Sequence, residues 1–214
     1  MKIQVLPVFL LILAACQSPS TKQAHTEKKS TVDPAIRVSC EGIGEVKLTD
    51  SYADLVKKFG RKAVSLHENN VTGTFTSVWN NDPRQINVYW KEKTPPYKTI
   101  MYMETVHPQA PYMTNDSIRI GLSLPDLVRR NGSMPLTFNN FYVEEESGLI
   151  INYNNGEIPR TDPCFEGKLE WVSQSNIYKD DYDAFKKQKV VESSDRILNR
   201  MEVMLGSMRV SAKH

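Results

Sequence analysis

Two stretches constrain the fold of this 214-residue chain more than any others: VKLTDSYADLVKKFG at 46–60 and IRIGLSLPDLVRRNG at 118–132, seventy-two residues apart. Each reads as a short strand, a turn and one amphipathic helix. Aligned without a gap, they share Ser51/Ser123, Asp54/Asp126, Leu55/Leu127, Val56/Val128 and Gly60/Gly132. A serine followed three residues later by an aspartate opens a helix, because the hydroxyl accepts from the N3 amide and the carboxylate offsets the positive end of the helix dipole. Tyr52, Leu55, Val56 and Phe59 give an i, i+3, i+4, i+7 apolar stripe in the first copy, and Leu124, Leu127 and Val128 give one in the second. Gly60 and Gly132 are expected to end each helix in a left-handed C′ position. Any short capped helix selects these residue types, so the identities alone leave convergence open. The repeated alternation, Val46-Lys47-Leu48 and Ile118-Arg119-Ile120, and the repeated basic pairs, Lys57-Lys58 and Arg129-Arg130, read as an internal duplication.

The chain begins MKIQVLPVFLLILAAC, with a basic Lys2 and an apolar run over 3–13 that is too short to span a bilayer and fits a secretory leader. Leu13-Ala14-Ala15-Cys16 resembles the lipobox of bacterial lipoproteins, in which the leader is cut before a cysteine diacylated on sulfur. That resemblance implies a signal peptide at 1–15, an acylated Cys16 as the mature N-terminus, and a membrane partner reached through its acyl chains. At roughly 0.8 kcal/mol per buried methylene, such an anchor is firm. Gln17 stands where an aspartate would favour retention in the inner membrane, so outer-membrane sorting with the globule facing the periplasm is expected. The rest of 16–35 is polar and offers nothing to bury. It reads as a flexible tether reaching roughly 25 Å.

Ordered structure is expected from residue 36. It divides near Tyr112 into two α+β modules, 36–112 and 113–214, each a short strand and helix followed by a three-stranded antiparallel sheet. Strands are expected at 71–79, 85–90 and 98–106 in the first module, and at 136–144, 148–153 and 168–173 in the second, with Asn154-Asn155-Gly156 as a hairpin cue. Trp79 and Trp90 read as core or sheet-face residues rather than ligand platforms. The charged interval KDDYDAFKKQK lacks calcium-loop spacing and reads as a solvated loop or frayed helix. Ile197, Leu198, Met201 and Leu205 predict a C-terminal helix at 196–205, stopped by Gly206, with a last strand at 207–212 that joins the second module.

With Cys16 expected to carry lipid, Cys40 and Cys164 remain in a compartment that permits disulfides; a Cys40–Cys164 disulfide is expected, with two free thiols as the alternative. No His-Glu-x-x-His, Gly-x-Ser-x-Gly, Cys-x-x-Cys, Walker A or Gly-x-Gly-x-x-Gly pattern occurs, and no cofactor, metal or catalytic residue is assigned. Gly121-Leu122-Ser123-Leu124-Pro125 lacks the second glycine of the hydrolase elbow. His25 and His214 fall in tails, while His67, His107 and the run Glu144–Glu146 are the internal groups from which an unusual active site would have to be assembled. A formal charge of +2 does not indicate a nucleic-acid partner.

The motif Ile118-x-Ile120-Gly121-Leu122-Ser123-x-x-Asp126-Leu127-x-x-x-x-Gly132, with its counterpart at 46–60, resembles the opening of each module in compact helix-plus-antiparallel-sheet proteins. These include β-lactamase inhibitory protein and the small SmpA/OmlA-type lipoprotein of the outer-membrane barrel assembly machine. In the first copy Thr49-Asp50 departs from the Gly-Leu of the pattern. Phe138-Asn139-Asn140-Phe141 after the second copy is similar to uncharacterised bacterial lipoproteins. The resemblance implies a protein-binding or scaffold class and names no partner. The anchor, the tether and the missing catalytic patterns together lead to the expectation of a non-enzymatic, lipid-anchored envelope protein, a binding or scaffold module that presents a concave antiparallel sheet backed by helices to a protein or cell-wall partner. The alternative is an envelope enzyme or small-ligand sensor with a site outside known motifs.

Overall fold

In the computed structural model, which describes residues 32–69, 73–144 and 146–212, antiparallel strands are interspersed with short helices. Three two-residue strands come first, β1 (Val38–Ser39), β2 (Gly42–Ile43) and β3 (Val46–Lys47). They lead to helix α1 (Tyr52–Phe59) and four longer strands, β4 (Val64–Asn69), β5 (Gly73–Val78), β6 (Ile86–Trp90) and β7 (Ile100–Thr105). Helix α2 (Leu124–Arg130) precedes β8 (Thr137–Asn139), β9 (Ile150–Asn152) and the one-turn α3 (Ile158–Thr161). The chain ends with β10 (Phe165–Gln174), α4 (Lys179–Lys187), β11 (Val190–Glu192), a 3-10 turn at Arg196–Arg200 and β12 (Met201–Ser211). Among the described residues the strands form three antiparallel sheets, ordered β1-β2-β3, β10-β12-β7-β6-β5-β4 and β11-β8-β9, which with four helices makes the α+β class.

Both helices begin where the serine spacing requires. Ser51 Oγ accepts from the Asp54 amide while the Asp54 carboxylate accepts from the Ser51 amide, a complete capping box. Ser123 Oγ accepts from the Asp126 amide and donates to the Asp126 carboxylate. Leu55 and Leu127 are fully buried, as the apolar stripe demands. Gly132 follows α2 with φ +70°, but Gly60 pairs φ +82° with an extended ψ of 152°, so it turns the chain directly into β4 instead of adopting a left-handed cap. The Ser51 hydroxyl, before any other cause, holds the Asp54 carboxyl below its ordinary 3.8. A carboxyl lowered in the folded state adds stability above its ordinary value and loses it as pH falls through the lowered one. Ser51→Ala removes the hydroxyl that caps the Asp54 amide and is expected to cost about 1 kcal/mol at neutral pH. The gap from the parent should narrow in melts run well below 3.8, where Asp54 is protonated.

Strand β4 is missing from the expectations above, and the second half of the chain departs from them further. Residues 118–120 form no strand; instead the Gly121 amide donates to Leu205 O, and Ser123 bridges Met204. The expected helix at 196–205 shrinks to one 3-10 turn, because from Met201 onward the apolar residues alternate rather than advance by three and four. Met201, Val203 and Leu205 are buried around an exposed Glu202, and Gly206, expected as a stop, sits inside β12 against Glu170. Strand β12 does not confine itself to the second module. It pairs β10 on one side and β7 on the other, so the six-stranded sheet draws strands from both sides of Tyr112. The expected strands at 136–144 and 148–153 contract to β8 and β9 in the smaller sheet. The turn at Asn154-Asn155 forms with both residues at positive φ, yet it leads into α3 and not into a hairpin partner. The charged interval forms α4, which buries Phe185.

One face of the large sheet is the core. Thr76, Val88, Met103, Val210 and Phe165 lie in cross-strand register on it, next to Val78, Ile86 and Met208. Trp90 Nε1 donates to Thr76 Oγ1 at 2.9 Å, and both residues are buried, which is the core role expected of Trp90. Trp79 is half-buried and packs edge-on against Phe59. Thr76→Val keeps the volume but strands the indole donor, so a loss of about 1–3 kcal/mol is expected in denaturant melts. Cys40 and Cys164 are joined as a disulfide, with Cα atoms 5.4 Å apart. No helix among the described residues is long and apolar enough to cross a membrane.

Candidate interaction surface

The other face of the six-stranded sheet carries the polar and aromatic residues that alternate with the core. Across it runs a ladder set by strand register: His67, Phe75, Tyr89 and Tyr102 oppose one another on β4, β5, β6 and β7. Their rings stack with centroids 5.0, 5.3 and 4.3 Å apart and interplanar angles near 20°. The Arg209 guanidinium from β12 closes the stack 4.0 Å over Tyr102. Stacking uses the ring faces on each other, which leaves ring edges and not faces to a partner, and Tyr89 in the middle of the ladder is itself buried. It is not a flat platform of the kind that holds a sugar ring or a base.

Beside the ladder lies a second cross-strand row, Ser77, Asn87, Glu104, Arg209 and Glu166. Arg209 is 7% exposed and faces three carboxylates: Glu104 at 3.7 Å, Glu146 at 3.5 Å and Glu166 at 3.8 Å. Glu104, equally buried, accepts from the Ser207 hydroxyl at 2.8 Å, and Ser211 Oγ donates to Glu166. One buried cation thus binds three acids, and the more exposed Glu146 and Glu166 give this end of the face a negative rim. Burial raises the Tyr89 and Tyr102 hydroxyls above the ordinary phenol value, so both remain protonated donors at any physiological pH.

The groups singled out in the sequence do not converge. His67 stacks on Phe75, the His107 ring nitrogen accepts from the Gln109 amide, and Glu146 meets Arg209. No hydrogen bond joins any two of them among the described residues, and no cluster there has the makings of a metal site. Of the basic residues near α1, Lys58 pairs with Asp50 at 2.5 Å, while Lys57, Arg61 and Lys62 are exposed. Cys16, His25, Glu145 and His214 lie outside the described residues. The Arg209 row was within reach of sequence reasoning. Tyr102-x-Glu104 and Ser207-x-Arg209-x-Ser211 place polar residues at every second position of otherwise apolar runs, which is the signature of a strand with one polar face. Neither a family model, nor a curated protein, nor a solved structure matches the chain.

Proposed function

We propose that this chain is a lipid-anchored protein of the bacterial envelope that binds a protein or cell-wall partner on the polar face of its large sheet without catalysing a reaction. The observation that carries the reading is the division of its three cysteines. Cys40 and Cys164 are bonded to each other, as an oxidising compartment allows, and the remaining Cys16 stands at the end of Leu13-Ala14-Ala15. Acylation there, followed by a polar tether, would hold the globule off the membrane, with the outer membrane favoured by Gln17.

The binding half of the reading is supported by the sheet face. Its ladder and ion cluster are built on paired strands, which keeps the hydroxyls, ring edges and carboxylates in fixed positions before any partner arrives. The similarity to β-lactamase inhibitory protein and SmpA/OmlA-type lipoproteins belongs to the same proposal. So does the reading of α1 and α2 as copies of one duplicated unit, supported by their matching Ser-x-x-Asp caps and buried leucines. The test is metabolic labelling with a palmitate analogue, paired with chemical cross-linking from intact envelopes. Label should enter the wild-type chain and not Cys16→Ser, and a specific adduct should be recovered only from the anchored form. An unlabelled chain, or recovery of no adduct where control lipoproteins yield theirs, would overturn it.

A further inference from the structure

Strand β4 ends the six-stranded sheet, and among the described residues nothing pairs with its outer side. Its register says which groups face outward. The Trp79 amide donates to Ala63 O, so odd-numbered residues of β4 bond β5, and the amides and carbonyls of Val64, Leu66 and Glu68 point away from the sheet. Natural sheets blunt such edges with proline, lysine or a bulge, and β4 has none of these.

Beside this edge lies a predominantly apolar cavity of about 350 Å³, lined by Tyr52, Ala53, Leu66, Pro96, Tyr97 and Lys98. Leu66 is 44% exposed there, although its neighbours in cross-strand register, Thr76 and Val88, are fully buried. A strand added along β4 would place the side chain opposite Leu66 on the same side of the sheet, over this cavity. The rim is basic. Lys57 lies one helical turn beyond Ala53, Arg61 and Lys62 lead into β4, and Lys98 borders the cavity. All four are exposed and make no ion pair among the described residues, and on β4 itself only Glu68 is acidic.

We propose that β4 accepts, by strand addition, an extended segment of a partner protein that seats an apolar side chain between Leu66 and Tyr97 and carries acidic residues on either side of it. The proposal rests on the reading of the chain as a binding protein, but it names a different surface from the sheet face. An anionic membrane would also meet the basic rim and the exposed Leu66. It offers no amide donors to the Val64, Leu66 and Glu68 carbonyls, which is why a peptide backbone fits better.

The test uses the full chain and a panel of blocked heptapeptides with a central leucine. One set has glutamate flanks, a second lysine flanks, and a third glutamate flanks with alternate backbone amides methylated. Binding of the glutamate set alone, with slowed hydrogen exchange at the Val64, Leu66 and Glu68 amides, is the expected result. Leu66→Lys should weaken it by at least about tenfold while leaving the melting temperature of the chain near the parent's, and Lys57→Glu with Arg61→Glu should shift preference to the lysine set. Equal binding of the methylated set, protection of the same amides by phosphatidylglycerol vesicles in place of peptide, or no binding by any set would each overturn it. In any of those cases an adduct captured through the sheet face would leave the broader binding reading standing.

Discussion

Replacing Cys40 and Cys164 together with serine is expected to lower folding stability by about 5 kcal/mol, the chain-entropy value for a closed loop of this length. The two cysteines are 124 residues apart, so the bond shortens the unfolded chain across most of the described sequence. It ties the turn between β1 and β2 to the residue before β10, and so fastens the small N-terminal sheet to the edge of the large one. A loss of this size corresponds to a fall of roughly 10–20 °C in melting temperature for a domain of this length. Calorimetry of the double variant against the oxidised parent measures it. A fall of only a degree or two would mean that the bond strains the folded chain or that the reduced, unfolded chain stays compact without it, either of which contradicts the chain-entropy account.

Arg209→Met is expected to cost about 3–5 kcal/mol, because it leaves Glu104 buried with no cation beside it. Methionine keeps the contact with Tyr102, which separates the charge effect from lost packing. Glu146 and Glu166 have side chains 55% and 38% exposed and can turn to water, but Glu104, at 10%, cannot. Adding Glu104→Gln to Arg209→Met should therefore recover most of the loss, since the glutamine oxygen still accepts from Ser207. Denaturant melts of the two single variants and the double form a cycle that measures the coupling. If Arg209→Met alone costs less than about 1 kcal/mol, the cluster behaves as an exposed surface pair and not as a buried one.

The helix starts were legible because capping is local: Ser51 with Asp54, and Ser123 with Asp126, satisfy their own amides whatever the rest of the chain does. The Cys40–Cys164 pairing was legible from the cysteine count: with Cys16 set aside as the expected lipid site, two cysteines remain. What could not be read was how the strands assort. Ile197, Leu198, Met201 and Leu205 fit a helical stripe as well as they fit a 3-10 turn running into a strand. Only the pairing of Leu205 with Leu169, of Val203 with Trp171 and of Met201 with Gln174 decides between them. The same long-range pairing gathers Tyr102, Glu104, Glu166 and Arg209 from three strands, so the sheet face exists in the tertiary register and not in any one segment. Strand β4 has no apolar run to mark it, since a serine, a histidine and a glutamate stand among its few apolar residues.

The most direct test of the central reading is photo-cross-linking in intact cells, with the photoreactive residue placed at Tyr102 or Glu166 on the sheet face and at Arg130 or Asn199 on the helix α2 and 3-10 surfaces. One partner species captured from the first pair of positions and not from the second is the predicted result. Capture from Arg130 and Asn199 alone, or equal capture from all four, would contradict the assignment of the sheet face as the binding surface.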